Sequence, residues 1–385
     1  MIKKICVFTG NRADYGILKP LINKLKFDKD FILQLVISGS HLCKEYGFTF
    51  NDIDISNIEH VEKTEIQLSS DTPIGTIKSM GLGLISFSEI ISKLKPDLCF
   101  ILGDRFEALS FAIACYVCNI AIAHLHGGEL TEGVLDDGFR HSITKLSYLH
   151  FTSTEEYRKR VIQLGEEPER VFNVGALTIE NIKNTKFLSK KELERKLNIK
   201  FKKNNFVITF HPSTLESNYN ANDFKELIRV LDELDNSLLI FTKANCDPGG
   251  KLINSIIYEF VSKNNDKATL FDSLGDFLYL NVLKYVDAVV GNSSSGIIEA
   301  PYFKIPTINI GDRQKGRIKA ESIIDCKSDY NDIKNAFKYI LSNDLKNKLR
   351  NIKNPYGDGN TSDKIIKIIK NIKIASLKKS FYNLK

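Results

Sequence analysis

The chain has 385 residues, of which 43% are hydrophobic and 26% are charged. These values are those of a globular protein, they exclude the disordered and fibrous classes, and the length predicts two domains. The net charge of +7 arises from 54 basic and 47 acidic residues that are interspersed along the chain. This pattern argues against nucleic-acid binding and is compatible with a small anionic ligand.

Cysteine usage and hydropathy predict an intracellular protein. The seven cysteines are scattered and most lie in apolar runs, which indicates reduced core residues. Cys115 and Cys118 form an isolated C-x-x-C pair, which favours one face of a helix over a redox or metal site. The N-terminal apolar run is too short for a signal peptide, and no run of about 18 apolar residues is apparent. We therefore expect a cytoplasmic protein with no membrane contact, no metal and no cofactor.

Short apolar runs alternate with segments of helical period, which predicts parallel strands joined by crossover helices and therefore the α/β class. The strands predicted in the first half span residues 5–9, 32–38, 98–102, 120–125 and 149–152. Those predicted in the second half span residues 206–210, 237–241, 269–271, 288–290 and 307–310. Two such sets indicate two Rossmann-like halves, and the polar, lysine-rich segment between them places a domain boundary near residue 180.

Polar clusters directly follow several of the predicted strands. In open parallel sheets, ligands bind beyond the carboxyl ends of the strands, where loops lead into helices. The clusters read TGNRADYG, GDR and HGGE in the first half, and HPST and GNSSSG in the second. We expect the functional residues in these loops.

The segment GNSSSGIIEAP has the composition of a phosphate-binding loop. Ser293 and Ser294 offer hydroxyl groups to phosphate oxygens, and Glu299, one turn later, can accept hydrogen bonds from ribose hydroxyls. A helix cap would need only one serine, so three serines favour phosphate over the capping alternative. Arg313 follows the next predicted strand and can pair with a diphosphate.

Acids and bases gather in the first half. Arg12 lies after the first predicted strand, and Asp104 and Arg105 lie after the third. A carboxylate beside an arginine is as often structural as catalytic. The loops that come next in the chain add His126, Glu129, Asp136, Asp137, Arg140 and His141. This convergence favours an acid–base site in the first domain and a nucleotide cradle in the second.

The order of these motifs resembles one enzyme family. TGNRADYG, GDRFEAL, HGGE, DDGFRHSITKLS, GNSSSGIIEAP, NIGDRQKGR and NPYGDG follow one another from about Thr9 to Gly359. The series is similar to that of the bacterial hydrolysing UDP-N-acetylglucosamine 2-epimerases of sialic acid biosynthesis. The resemblance implies a glycosyltransferase-B-like architecture, with domains 1–180 and 181–361, a nucleotide sugar in the interdomain cleft, and a C-terminal helix at about 362–380 packing on the first domain.

The resemblance also implies a reaction. The proton at C2 is abstracted while UDP leaves by anti elimination, and water then adds to the 2-acetamidoglucal to release N-acetylmannosamine. Asp104, Asp136 and Asp137 match the acids of the family, without an assignment of base and acid. The matching contacts for the diphosphate and ribose are Arg12, His211, Ser293, Ser294, Glu299 and Arg313, with Arg105, Arg140 and His141 as weaker candidates for the sugar.

One position departs from the family pattern. Related epimerases carry a catalytic glutamate where this chain has His126. A neutral imidazole can act as acid or base near neutral pH, so His126 can replace it. Alternatively, Glu129 reaches the site, or His126 is a packing residue.

Several alternatives remain open at the level of sequence. The same reaction on UDP- or GDP-linked 2,4-diacetamido-2,4,6-trideoxyglucose, on the way to legionaminic acid, would use the same motifs. A non-hydrolysing epimerase, a glycosyltransferase of the same fold and a nucleotide-binding module without activity rank lower. The resemblance also implies a homodimer or homotetramer.

Overall fold

The computed structural model describes residues 2–44, 47–70, 72–131, 134–212, 222–244, 249–374 and 376–384. Ser213 and Thr214 of the HPST motif, and Cys246, lie outside the described residues. The chain forms two compact units. Unit 1 comprises residues 1–129, 136–183 and 356–385, and unit 2 comprises residues 130–135 and 184–355.

Unit 1 contains a seven-stranded parallel sheet in the order β3-β2-β1-β4-β5-β6-β7. Its strands are β1 (Lys3–Thr9), β2 (Phe31–Ile37), β3 (His60–Lys63), β4 (Leu98–Leu102), β5 (Ala121–Leu125), β6 (Leu149–Thr152) and β7 (Val171–Asn173). Its helices are α1 (Arg12–Phe27), α2 (Pro73–Leu94), α3 (Phe106–Val117), α4 (Asp136–Leu146), α5 (Glu155–Gln163), α6 (Leu177–Asn184) and, at the end of the chain, α14 (Thr361–Asn371).

Helices cover both faces of this sheet, so successive residues of its strands are buried on opposite sides. Ile5 and Val7 of β1 pack in a cluster with residues of α1 and α14. Cys6 and Phe8 pack in a second cluster with α2 and α3. The expected C-terminal helix ends at Asn371, and the chain continues from there as a tail without regular structure.

Unit 2 contains a six-stranded parallel sheet in the order β10-β9-β8-β11-β12-β13. Its strands are β8 (Asn204–Thr209), β9 (Ser237–Thr242), β10 (Ala268–Phe271), β11 (Ala288–Gly291), β12 (Thr307–Ile310) and β13 (Ile323–Cys326). Its helices are α7 (Lys190–Leu197), α8 (Asn222–Asp232), α9 (Gly250–Lys263), α10 (Gly275–Leu283), α11 (Ser294–Ile298), α12 (Tyr330–Ile340) and α13 (Asn343–Leu349).

The prediction of an α/β fold with two Rossmann-like parallel sheets is confirmed. Each sheet also has short strands that the sequence pattern did not predict. These strands, β3, β7 and β13, have three or four residues each, most of them partly exposed. Equally short strands such as β6 and β12 are fully buried, whereas partly exposed segments of three or four residues do not stand out from loops.

Helix α2 corrects the expectation that no apolar segment has the length of a membrane span. It has 22 residues and an 18-residue window of mean hydropathy 1.3, enough to cross a membrane by length and composition alone. The same test is passed by helices that pack on a sheet. Phe87 and Ile91 of α2 lie in the core of unit 1, whereas Ile74, Ile77 and Ile85 are exposed.

The strand order fixes where ligands are expected. In each sheet the order reverses direction at one point, between β1 and β4 in unit 1 and between β8 and β11 in unit 2. Diverging connections leave a crevice beyond the carboxyl ends of the strands at such a switch point. The polar loops singled out in the sequence follow β1, β4, β8 and β11, so they lie at these two positions.

Candidate functional site

In unit 1, a buried arginine binds two carboxylates. Arg140 on α4 is 1% exposed. Its Nη1 donates to Asp137 Oδ1 at 2.8 Å and to the carbonyl of Glu129 at 2.9 Å. Its Nη2 forms an ion pair with Asp104, in the loop after β4. Arg140 therefore holds Asp104 and Asp137 next to each other and neutralises charge that would otherwise repel.

His126 follows β5 and has an unusual backbone conformation. Its φ of +65° is in the left-handed region, which is costly for a residue other than glycine. Its amide donates to the carbonyl of Phe151 at 3.0 Å, which ties the loop to β6. Gly128, at φ +80°, approaches the carbonyl of Tyr157 so closely that a Cβ would lie 2.4 Å from that oxygen. The close approach at Gly128 thus requires a glycine at this position.

The imidazole of His126 has one partner and one open nitrogen. Its Nδ1 lies 3.2 Å from Oε1 of Glu129. Its Nε2 is buried and has no hydrogen-bond partner among the described residues. Unpaired buried polar atoms are rare, and each needs an explanation. His126 thus combines a left-handed backbone conformation with a buried ring nitrogen that has no partner among the described residues.

His124, two residues earlier, has the opposite environment. Its Nε2 donates to the carbonyl of Gly103 at 2.8 Å, and its Nδ1 lies 3.1 Å from Oγ1 of Thr144. Burial lowers the pKa of His124 to about 3, so the ring stays neutral. His124, within β5, therefore connects this strand to the loop after β4 and to α4. Its role is structural.

The first turn of α1, directly after β1, adds an acid that the sequence reasoning did not select. Burial, together with the charge of Glu107, raises the pKa of Asp14 to about 7. Glu107 is 1% exposed and accepts a hydrogen bond from Nε of Arg105 at 2.8 Å. Arg105, predicted to contact the sugar, is therefore engaged by Glu107. Arg12, the first residue of α1, is partly exposed, and its Nε lies 3.7 Å from Asp52.

In unit 2, Asn292 connects the two loops at the switch point. Its Oδ1 accepts from the amide of His211 at 2.7 Å, and its Nδ2 donates to the carbonyl of His211 at 2.8 Å. Its own carbonyl accepts from Nη1 of Arg313 at 3.2 Å and from Nε2 of Gln314 at 2.9 Å. Gly291 allows this approach, because a Cβ there would lie 2.0 Å from the carbonyl of Thr209.

The serines lie next to this connection. Ser293 caps the short helix α11, where its hydroxyl accepts from the amide of Ser295, and Ser294 begins that helix. Burial raises the pKa of Glu299 to about 7, opposed by a hydrogen bond with Ser295. The hydroxyl of Tyr279 lies 2.5 Å from that of Ser295, so the polar groups here form one partly buried cluster.

Each unit therefore gathers its own predicted residues at one sheet edge. In unit 1 the group contains Asp104, His126, Glu129, Asp137 and Arg140, with Asp136 at the start of α4 and His141 3.4 Å from Asp137. In unit 2 the group contains His211, Ser293, Ser294 and Arg313, with Glu299 directly after α11. No cluster of metal-ligating residues was found in the part of the chain that the structure describes.

Sequence comparisons identify related proteins. A family model described as UDP-N-acetylglucosamine 2-epimerase matches residues 23–370. The chain is 47% identical over 384 residues, 99% of each protein, to the hydrolysing GDP/UDP-N,N'-diacetylbacillosamine 2-epimerase of Campylobacter jejuni. It is 32% identical over 376 residues, 98% of each protein, to the hydrolysing UDP-N,N'-diacetylbacillosamine 2-epimerase of Legionella pneumophila.

The fold is also that of solved structures. The UDP-GlcNAc 2-epimerase of Methanocaldococcus jannaschii, solved with UDP-GlcNAc and UDP, has a TM-score of 0.79 at 19% identity, with 95% of this chain and 99% of that chain covered. At this identity the likeness concerns the fold alone, the glycosyltransferase-B-like pair of Rossmann-like sheets. Because the family model spans most of its length, the chain belongs to the UDP-N-acetylglucosamine 2-epimerase family, a family of enzymes.

Proposed function

We propose that this protein is a hydrolysing nucleotide-sugar 2-epimerase that acts on a UDP- or GDP-linked 2,4-diacetamido-2,4,6-trideoxyglucose, also called N,N'-diacetylbacillosamine. The observation that carries the proposal is the 47% identity, over 99% of both chains, with a relative named for this activity. UDP-N-acetylglucosamine is the second candidate substrate, favoured by the description of the family model.

The reaction requires a base, a stabilised leaving group and a source of protons. The base takes the proton from C2, and the electrons of that C–H bond form the C1=C2 double bond. The C1–O bond breaks at the same time, and the nucleoside diphosphate leaves with its electrons. Water then adds its oxygen to C1, and a proton is delivered to C2 from the opposite face, which releases the free 2-epimeric sugar.

Unit 1 supplies the groups for proton transfer in this proposal. Asp104, Asp136 and Asp137 are the candidate acids or bases, and His126 adds an imidazole with an open nitrogen. Buried Arg140 keeps Asp104 and Asp137 in place, because a guanidinium offers donors in a fixed planar geometry. His141 and Arg105 remain weaker candidates for contacts to the sugar.

Unit 2 supplies the groups for the leaving nucleotide in this proposal. His211 and Arg313, both held by Asn292, bind the diphosphate together with the hydroxyls of Ser293 and Ser294. The carboxyl group of Glu299 binds the ribose hydroxyls. Arg12 of unit 1 is proposed as a further phosphate contact.

The test follows the reaction by NMR in deuterated water, with each nucleotide sugar in a separate sample. The expected result is faster turnover of the diacetamido substrate, with free sugar of inverted C2 configuration, one deuterium at C2 and one UDP or GDP per sugar. Epimerised sugar that is still attached to UDP would indicate a non-hydrolysing epimerase. Transfer of the sugar to an added acceptor would indicate a glycosyltransferase, and inactivity on every substrate would refute the proposal.

Assembly and location are also proposed. We expect a homodimer or homotetramer, because Ile74, Ile77 and Ile85 expose apolar surface on one helix of unit 1 and such surface usually marks a contact. A cytoplasmic location is proposed from the scattered cysteines, which are typical of reduced core residues. Light scattering after size-exclusion chromatography measures the mass directly. A mass of a single chain across the micromolar range would contradict the expectation.

A further inference from the structure

Glu129 is fixed at both ends inside unit 1. The residue is buried, with 3% of its surface exposed. Its Oε1 accepts a hydrogen bond from Ser153 at 3.0 Å and lies 3.2 Å from Nδ1 of His126. Its backbone carbonyl accepts from Arg140. A carboxylate held in this way does not extend towards a substrate. It acts on its neighbour, the imidazole.

The contact sets the tautomer of that imidazole. A carboxylate has only acceptor atoms, so the hydrogen of a neutral His126 lies on Nδ1, facing Glu129. The lone pair then lies on Nε2, the atom that is buried and has no partner among the described residues. This arrangement is that of an oriented general base, in which a carboxylate fixes the ring and stabilises the imidazolium after proton uptake.

The nearby aspartates are arranged differently. Asp104 and Asp137 each direct a carboxylate oxygen at the buried guanidinium of Arg140. A guanidinium has no acceptor atom, so the lone pairs that face it are occupied by hydrogen bonds. One oxygen of each aspartate is therefore engaged by Arg140, whereas Nε2 of His126 has no hydrogen-bond partner among the described residues.

We propose that His126 is the general base that removes the proton from C2 of the nucleotide sugar, and that Glu129 is the positioning residue that orients it. The proposal rests on the proposed function. Nε2 receives the C2 proton, the electrons of the C–H bond form the C1=C2 double bond, and the C1–O bond breaks with departure of the nucleoside diphosphate. A separate group delivers the proton in the later hydration, because inversion requires the opposite face.

The first test separates elimination from hydration. In His126→Gly, the backbone conformation of φ +65° suits glycine, so the variant keeps the fold while it loses the base. We expect release of UDP or GDP to fall by roughly 10²–10⁴-fold, the usual contribution of a general base, whereas hydration of the added glycal of the same sugar continues. Exposed His60 provides the matched control, and His60→Asn should match the wild type in both steps.

The results that would overturn the proposal are distinct. Nucleotide release at the wild-type rate in His126→Gly excludes His126 as the base. Accumulation of the glycal in this variant would assign His126 to hydration instead. A wild-type enzyme that turns over neither nucleotide sugar would refute the proposed function itself, so the two failures are distinguishable.

The second test addresses Glu129. In Glu129→Gln, the amide can donate to Nδ1 and so move the ring hydrogen to Nε2, which removes the acceptor. We expect kcat to fall with little change in KM. The wild type and Glu129→Gln share the other charged groups near this loop, which are Arg140, Asp104 and Arg160.

Imidazole rescue provides a readout that a structural role would not give. Added imidazole should restore nucleotide release to His126→Gly, and the rescue should be weaker in the double variant that also carries Glu129→Gln. Equal rescue with and without Glu129, or an unchanged kcat in Glu129→Gln, would refute the positioning role.

Discussion

Replacement of Glu166 by glutamine should release the C-terminal tail and weaken unit 1. The carboxylate of Glu166 is 2% exposed and accepts from Lys145 at 2.6 Å and from Lys379 of the tail at 2.8 Å. The ring of buried His150 lies 3.1 Å from the same carboxylate. Glu166→Gln keeps the shape of the side chain and removes its charge, so two lysines lose their anionic partner.

The magnitude follows from the pKa of Glu166. Burial alone would raise this pKa, but the hydrogen bonds and charges of His150, Lys145 and Lys379 lower it from 4.5 to about 2. A shift of this size corresponds to about 3 kcal/mol. Because the folded pKa is depressed, this stability is present above about pH 4.5 and is lost as the pH falls towards 2. Burial also lowers the pKa of His150, so protonation of His150 likewise reduces the free energy of unfolding as the pH falls. This effect remains in the variant.

Urea unfolding followed by circular dichroism at pH 7 and pH 3 measures the effect. We expect Glu166→Gln to lower the free energy of unfolding by about 3 kcal/mol at pH 7 and by much less at pH 3. Hydrogen exchange should accelerate at the amide of Tyr382, which donates to the carbonyl of Gly165 at 2.9 Å. Exposed Glu169 supplies the control, Glu169→Gln. A difference of equal size at both pH values, or a variant as stable as the control, would refute the reasoning.

Three further predictions concern stability and binding. Phe111 is fully buried and stacks on Phe8 with ring centroids 4.6 Å apart, so Phe111→Ala should cost about 3–5 kcal/mol in urea unfolding. Asn292→Asp keeps the acceptor for the amide of His211 but loses the donor to its carbonyl. We expect a loss of about 1–3 kcal/mol and weaker UDP binding by calorimetry, and unchanged UDP affinity would contradict the role of Asn292. His126→Gly should be more stable than His126→Ala by about 1–2 kcal/mol, because only glycine adopts φ +65° without strain; equal melting temperatures would contradict this.

The sequence predicts the strands of the sheet centres well because they are buried on both faces. The predicted strand 98–102 coincides with β4, since an unbroken apolar run bounded by polar residues is typical of a strand buried on both faces. The edge strand β3 (His60–Lys63) is half-exposed. It is defined by pairing with β2, a long-range contact that no local pattern contains.

The candidate residues of the site are predicted as a set, but their individual roles are not. Two histidines two residues apart, His124 and His126, look equivalent in the sequence. The first lies inside β5 and is buried with both ring nitrogens near partners, and the second lies beyond the strand in a left-handed conformation. Asp14 and Glu107 were not selected, although each is an acid next to a selected residue, Arg12 or Arg105.

The division of roles within the site follows from where each loop leaves the sheet. Loops at a switch point diverge, so their side chains have room to point inwards, and the chain must then hold them there without regular secondary structure. Arg140 in unit 1 and Asn292 in unit 2 perform this task through several hydrogen bonds each. Both are buried and neither needs to touch a ligand. A residue type favoured for ligand binding is therefore not by itself evidence of contact, because the same donors can serve to fix a neighbouring loop.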